Sequence, residues 1–245
     1  MARLPRLAVT DAAHLVVWRG HNGQPVFVDD DDRQAWLASM AEGAVREGVE
    51  WHGHALLVSA LWMLVTPCFD GALSRWMQAL GRTYVRRFNQ RHGRRGTLWD
   101  GRYRAAVLAP DWVLPALVFL DQEPVSEGLA ATPEAWRWSS HRHYVGAEPQ
   151  RAVTPPAAWW SLGDTPFARE AAYRRLVQEG LSRQQAQRLR EAALKGWPVG
   201  DATFLAALQA QTGRRTEPAR PGRPRKVVND LSPNNYEKAA VSMKL

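Results

Sequence analysis

The residues of this chain best suited to do chemistry are arginines gathered in one stretch. Between Arg82 and Arg104, eight arginines face a single acid, Asp100. A guanidinium is always charged and donates to phosphate oxygens through a planar fork, so such a cluster is typical of a phosphate-binding surface. Aromatic rings among the arginines could stack on unpaired bases, which favours single-stranded or hairpin DNA over a merely solvated basic helix. The candidate DNA-binding residues are Arg82, Arg86, Arg87, Arg91, Arg94, Arg95, Trp99, Arg102, Tyr103 and Arg104.

A second basic stretch lies near the end of the chain. Six basic residues between Arg214 and Lys226 face only Glu217. Arg223, Arg225 and Lys226 lie in a Gly-Arg-Pro-Arg-Lys segment that is similar to the core of an AT-hook, in which extended chain places arginines in a narrow minor groove. Non-specific attraction to phosphate is the competing role. The two stretches together exceed the net charge of +8, so the rest of the chain is mildly acidic.

The helix that carries the first arginines can be placed from its apolar spacing. Apolar residues recur at three- and four-residue intervals from Leu73 to Phe88, which predicts an amphipathic helix over Leu73 to His92. Arg82 and Arg86 fall away from that stripe. A Gly-Arg-Arg-Gly turn at 93–96 is expected to end the helix, and a strand is expected to carry Trp99 to Arg104.

The remaining elements predict an α+β fold, an antiparallel sheet with helices packed on it. The predicted strands are Ala12 to Trp18, Trp51 to Leu57, Ala60 to Thr66 and Tyr103 to Leu108, and the further predicted helices are Arg33 to Glu47 and Asp111 to Asp121.

Several motifs in order along the chain resemble one family. They are HLVVWRG at 14–20, LLVSALWMLVTP at 56–67, the arginine-rich stretch at 84–103, PVSEGL at 124–129 and WRWSS at 136–140. This set resembles the REP-associated tyrosine transposases, a branch of the IS200-like nucleases of the HUH superfamily. The resemblance implies an HUH core, DNA strand cleavage and transfer through a phosphotyrosine, Mg²⁺ or Mn²⁺ as cofactor, and repetitive extragenic DNA as partner.

At the family's catalytic positions this chain departs from the pattern. The family's two metal-binding histidines fall at Ala60 and Trp62, and its nucleophilic tyrosine falls at Phe119. Neither alanine nor an indole N–H can bind a metal, and a phenyl ring has no oxygen to attack phosphorus. We therefore expect no catalytic residue, no metal site and no cofactor, in a DNA-binding protein derived from a transposase.

Other residues leave an active enzyme open as an alternative. Tyr84 lies beside the basic face and is the fallback nucleophile, although it falls on the apolar stripe. His52 and His54 have the i, i+2 spacing of a metal pair. A two-residue hairpin loop at Val58 and Ser59 would place both on the face opposite Trp62, and a slip of one residue would reverse this. The acidic run at 29–32 is expected to begin a helix rather than bind metal. A third interpretation is an RNA-binding or protein-interaction module.

The organisation and location of the chain are predicted from composition. We expect a transposase-like core at 1–147, a proline-rich linker at 148–165, a helical segment at 166–213, and a basic flexible tail at 214–245. The helical segment suits either a helix-turn-helix-like unit or a small bundle packed on the core. No apolar run is long enough to span a bilayer and no signal-peptide core is evident, which predicts a cytoplasmic, nucleoid-associated protein. The sequence gives no oligomeric state.

Overall fold

A computed structural model describes residues 6–218 of the chain. Its four strands are β1 (His14–Arg19), β2 (Val49–Leu56), β3 (Ala60–Pro67) and β4 (Arg104–Val107). They form one sheet in the order β2-β3-β1-β4, and every neighbouring pair is antiparallel. The predicted α+β fold with an antiparallel sheet is confirmed.

Eight α-helices accompany the sheet within the described residues. They are α1 (Asp30–Glu47), α2 (Ala72–Arg91), α3 (Val113–Ser126), α4 (His141–Tyr144), α5 (Ala157–Trp160), α6 (Pro166–Glu179), α7 (Arg183–Lys195) and α8 (Ala202–Thr212). The acidic run begins α1 as predicted, because the Asp29 side chain accepts from the Asp32 N–H and caps the helix. None of the helices in this part of the chain is both long and apolar enough to cross a membrane.

Helices α1 and α2 cover one face of the sheet. Trp18 of β1 lies in register with Leu61 of β3, so both side chains point to this face. Trp18 contacts Trp36 of α1 edge to face at 6.4 Å, and a Cβ at Gly81 of α2 would come within 2.5 Å of the Trp18 ring. The buried stripe of α2 runs from Leu73 to Phe88, as the spacing predicted.

Helices α3 and α7 cover the other face. Trp62 points to this side, where its ring meets Phe119 of α3 with centroids 5.0 Å apart. Arg190 of α7 lies over both rings. The sheet is therefore enclosed between two helical layers, and Trp62 and Phe119 lie beneath the second layer.

The hairpin between β2 and β3 has the predicted two-residue loop. The Leu57 N–H donates to the Ala60 carbonyl at 2.9 Å, and Ala55 lies in register with Trp62. A β-bulge between Trp51 and Gly53 shifts the register farther along. This bulge decides where His52 points, as described below.

Both edges of the sheet are covered by other parts of the chain. On the β2 side, the Leu56 N–H donates to the Trp138 carbonyl, and the Thr154 N–H donates to the Trp51 carbonyl. On the β4 side, Val199 bonds to the backbone of Val107 and Ala109. Edge strands that are already bonded offer no template for another strand. The segment after residue 147 thus supplies backbone partners to the core, while the predicted domain boundaries themselves remain predictions.

Two predicted elements differ most from the structure. Helix α3 continues past the predicted end at Asp121 to Ser126. Asp121 lies inside the helix, and its buried carboxylate accepts hydrogen bonds from His141 and from the Tyr173 hydroxyl. The predicted strand over Trp99 to Arg104 is wrong except at its last residue. Gly101 has a φ of 66°, a left-handed conformation that interrupts extended chain, and its carbonyl accepts from the Trp18 indole.

Candidate nucleic-acid interface

A cleft of about 830 Å³ runs along the outer side of α2. Its second wall is the irregular segment that precedes β4, and Trp18 contributes to its floor. The lining is both basic and aromatic: Arg6, Trp18, Ser74, Arg75, Met77, Gln78, Gly81, Arg82, Val85, Arg86, Thr97, Trp99, Gly101, Arg102 and Tyr103. Five of the predicted DNA-binding residues are among them.

Three arginines of the cleft are available to a ligand. Arg82, Arg86 and Arg102 are exposed, and their side chains form no hydrogen bond or ion pair within residues 6–218. Arg82 and Arg86 are four residues apart on α2, and like charges at this spacing destabilise an isolated helix by about 0.2–0.5 kcal/mol. An anion bound between them would remove that repulsion.

The predicted stacking residues form the floor of the cleft. Trp99 is 4 % exposed and stacks on Trp18 with centroids 4.4 Å apart. Tyr103 is 5 % exposed, and the Arg6 guanidinium lies 4.0 Å from its ring centroid. Each ring already has a partner on a face, so the geometry gives no support to stacking on a base. The two rings instead hold the arginine-bearing walls in place.

Arg91 is engaged by acids from α1. Its guanidinium pairs with Asp29 at 2.7 Å, Asp31 at 3.2 Å and Asp32 at 2.8 Å. The hydrogen bond from Arg91 lowers the pKa of Asp29 to about 2, so this carboxylate stays charged. Arg91 was predicted to contact phosphate, but in this structure its charge is balanced by the protein's own carboxylates.

The other predicted arginines differ in whether their side chains are hydrogen-bonded within the described part of the chain. Arg94 donates to Gln24 at 2.6 Å, and Arg104 donates to the Leu194 carbonyl at 2.6 Å. Arg87 and Arg95 are exposed without a hydrogen bond or ion pair in the described part of the chain, but they do not line the cleft. The structure therefore divides the cluster into cleft arginines, tethered arginines and free arginines outside the cleft.

Trp62 and Phe119, where the resemblance places a metal ligand and the nucleophile, are packed against each other. Trp62 is 3 % exposed and Phe119 is 2 % exposed, and their rings meet at an interplanar angle of 80°. The Arg190 guanidinium carbon lies 6.0 Å from the Trp62 centroid and 5.6 Å from that of Phe119. Edge-to-face aromatic pairs with a cation above them are favourable contacts. Ala60 lies at the rim of a pocket beside them.

A buried carboxylate holds Arg190 in place. Glu123 is one helical turn beyond Phe119, is 1 % exposed, and accepts from Arg190 at 2.6 Å. Burial raises the pKa of Glu123 to about 7, against the lowering effect of the guanidinium. Sequence reasoning did not select Arg190 or Glu123. The available signal was an arginine beside the buried residues Leu189 and Ala193 of α7.

The two histidines of β2 point to opposite faces. His54 lies opposite Met63 and away from Trp62, as predicted. The prediction for His52 is wrong, because the β-bulge turns it toward Thr66, on the same face as Trp62. Its Nδ1 donates to the Thr154 carbonyl and its Nε2 accepts from the Thr66 hydroxyl. Both ring nitrogens of His52 therefore have hydrogen-bond partners. The side chain lies about 20 Å from Ala60 along the strand, at ~3.3 Å per residue.

His54 is an unpartnered imidazole in the core. It is fully buried, and neither ring nitrogen has a hydrogen-bond partner among the described residues. Burial lowers its pKa to about 3, so the ring is neutral at physiological pH. Within residues 6–218, no three His, Cys, Asp or Glu side chains are grouped so as to hold a metal ion.

Tyr84 is a core residue. It is 1 % exposed, its hydroxyl donates to the Val26 carbonyl at 2.6 Å, and its ring packs against Trp36 and Phe27. Burial raises the pKa of the phenol well above its ordinary value. A buried phenol whose proton is committed to a carbonyl is a poor nucleophile, so the geometry does not favour the fallback role. Arg223, Arg225 and Lys226 lie outside the described residues.

Comparison with solved structures identifies the architecture. A REP-associated tyrosine transposase bound to a REP hairpin superposes with a TM-score of 0.50 at 11 % identity, over 64 % of this chain and 92 % of that one. The chain has the fold of a REP-associated tyrosine transposase. Neither a family model nor the sequence of a curated protein matches it. The comparison therefore supports the fold at a low sequence identity.

Proposed function

We propose that this protein is a DNA-binding derivative of a transposase that holds hairpin or single-stranded repetitive DNA without cutting it. One contrast carries the proposal. Arg82, Arg86 and Arg102 are unpaired on a single cleft, while Trp62 and Phe119 are packed together where the resemblance places metal and nucleophile. The solved neighbour with this fold is bound to a REP hairpin, which supports the same class of ligand here.

The cleft suits a phosphate backbone more than a base. Its free guanidiniums lie on two walls, one from α2 and one from the loop before β4, so a strand between them would be contacted from both sides. Its aromatic rings are covered. Phosphate contacts position a nucleic acid without reading its sequence. Recognition of a hairpin would then rest on the spacing of phosphates and on the shape of the cleft.

The proposal also places the protein on cytoplasmic, nucleoid DNA and treats it as a pseudoenzyme. Three arrangements support the loss of cleavage: Ala60 and Trp62 offer no metal ligand, Phe119 offers no hydroxyl, and Tyr84 is sealed in the core. Replacing one lost group is a small change, but replacing a metal pair and a nucleophile together requires a new site.

The test compares binding and cleavage in one sample. Wild-type protein is incubated with an end-labelled DNA hairpin, an unpaired strand of equal composition and an RNA hairpin, with and without Mn²⁺. Native gels should show that the DNA hairpin binds most tightly, and denaturing gels should show it intact and free of protein. A denaturant-resistant adduct that is absent in Tyr84→Phe would establish the nuclease alternative. Equal or tighter binding of RNA would replace DNA as the ligand.

A further inference from the structure

A second pocket adjoins the packed catalytic positions. Its volume is about 310 Å³, near the lower size of pockets that bind small ligands. The lining includes Arg19 at the end of β1, Ser59 and Ala60 of the hairpin, Trp62, Arg190 of α7 and the carboxylate of Glu127 just after α3. Residues from β1, the β2–β3 hairpin, the end of α3 and α7 form the walls of this partly open pocket.

Arg19 and Arg190 both line this pocket, and they differ in whether acidic side chains hold them. Arg19 is exposed, and its side chain has no hydrogen bond or ion pair in the described part of the chain. Arg190 is fixed from behind by Glu123 at 2.6 Å and is touched by Glu127 at 3.4 Å. Glu127 is 51 % exposed, so its contact with Arg190 is weak and can be displaced by an anion.

The pocket and the DNA cleft are linked by residues that a third hollow shares with each of them. This hollow is small, about 20 Å³, and is lined by Arg19, Asp100, Arg102 and Arg104. Arg102 also lines the cleft, and Arg19 also lines the pocket. A strand that leaves the cleft past this hollow would meet Arg102 and Arg19, with Asp100 beside them, before it reaches Arg190.

We propose that this pocket binds the terminal phosphate of a DNA strand that extends from the cleft. Arg19 and Arg190 are the phosphate-binding residues, and Glu123 is a positioning residue that aims Arg190. A terminal phosphate carries more negative charge than an internal phosphodiester. A guanidinium can donate two parallel hydrogen bonds to its oxygens. Arg190 supplies positive charge over Trp62 and Phe119. The inference rests on the proposed DNA-binding function.

The test uses hairpins with one short unpaired flank, ending in a 5′-phosphate, a 3′-phosphate or hydroxyls. Affinities are measured by fluorescence anisotropy in EDTA, for wild type, Arg19→Gln, Arg190→Gln and the control Arg183→Gln. Arg183 is an exposed arginine of α7 that lines neither pocket nor cleft. A phosphate on one of the two ends should tighten wild-type binding about tenfold relative to hydroxyl ends.

The ratio of affinities for phosphate-ended and hydroxyl-ended DNA should fall to near one in Arg19→Gln and Arg190→Gln and persist in Arg183→Gln. Because Arg190→Gln leaves Glu123 without its partner, the exposed Arg19→Gln is the decisive variant, and circular dichroism checks its fold. No effect of either terminal phosphate on wild type, or an unchanged ratio in Arg19→Gln, overturns the inference while hairpin binding stands. Failure of the hydroxyl-ended hairpin to bind overturns the proposed function itself.

Discussion

Neutralising the cleft should weaken DNA binding by an amount that depends on salt. The perturbation is the triple variant Arg82→Gln, Arg86→Gln and Arg102→Gln, which removes the three unpaired guanidiniums of the cleft. None of them makes a hydrogen bond or ion pair with the residues described, so the fold should be unaffected. Each contacted phosphate contributes about 0.9 to the slope of log affinity against log salt for duplex DNA and about 0.7 for a single strand.

The expected loss follows from three contacts. The slope should become shallower by about 2 to 3, and affinity at ~0.1 M salt should fall roughly 100- to 500-fold. At ~0.5 M salt the same variant should lose only about four- to sixfold, because counterion release then contributes little. Anisotropy titrations of a labelled hairpin at four salt concentrations measure both quantities.

A matched control separates the cleft from net charge. Arg151→Gln, Arg175→Gln and Arg183→Gln remove the same charge from exposed arginines that lie outside the cleft and have no hydrogen bond or ion pair with residues 6–218. This control should change the slope by less than 1. Equal slopes for wild type and the cleft variant, or an equal loss in the control, would refute the assignment of DNA to this cleft.

Three further predictions concern the core beneath the two sites. His54→Leu should raise the free energy of unfolding in urea, and the gain should be ~2–3 kcal/mol larger at pH 4.5 than at pH 7.5. The reason is that the pKa of His54 is lowered to about 3, so the wild type loses stability as the pH falls below 6.5. An equal gain at both pH values would contradict this. The pKa of Glu123 is raised to about 7 in the folded protein. Its stabilising contribution to the free energy of unfolding is therefore full below about pH 4.5 and is lost as the pH rises through 7. Glu123→Gln should therefore remove ~3 kcal/mol of that pH dependence, and a wild-type stability that is flat from pH 4.5 to 8 would argue against it. Tyr84→Phe should lower the free energy of unfolding by about 1–3 kcal/mol, because it leaves the Val26 carbonyl unpaired, and should leave hairpin affinity unchanged. DNA cleavage by the wild type that disappears in this variant would instead identify Tyr84 as a nucleophile.

Local patterns in the sequence carry the predictions that were confirmed. The apolar spacing of α2 places its buried stripe and its outward arginines, since a helix of period 3.6 separates the two by geometry. The two-residue loop at Val58 and Ser59 sets the hairpin register near Trp62 for a similar reason. In both cases the controlling residues lie within a few positions of each other.

The features that sequence reasoning missed depend on distant residues. The direction of His52 is set by a bulge and by Thr154, about a hundred residues away. The charge of Arg91 is balanced by acids at the start of α1. The ring of Trp99 is covered by the ring of Trp18. Arg190 reaches the Trp62 ring from α7. A charge count along the chain gives no information on such pairings, because they are decided by packing between elements.

The most direct test of the account is to map where hairpin DNA lies on the protein. A hairpin with photoreactive bases at successive positions is cross-linked to wild-type protein by light, and the attached peptides are identified by mass spectrometry. The account predicts attachment within residues 74–103, at the walls of the cleft, and no covalent adduct without light. Attachment confined to α6, α7 and α8, or a light-independent adduct on a tyrosine, would contradict it.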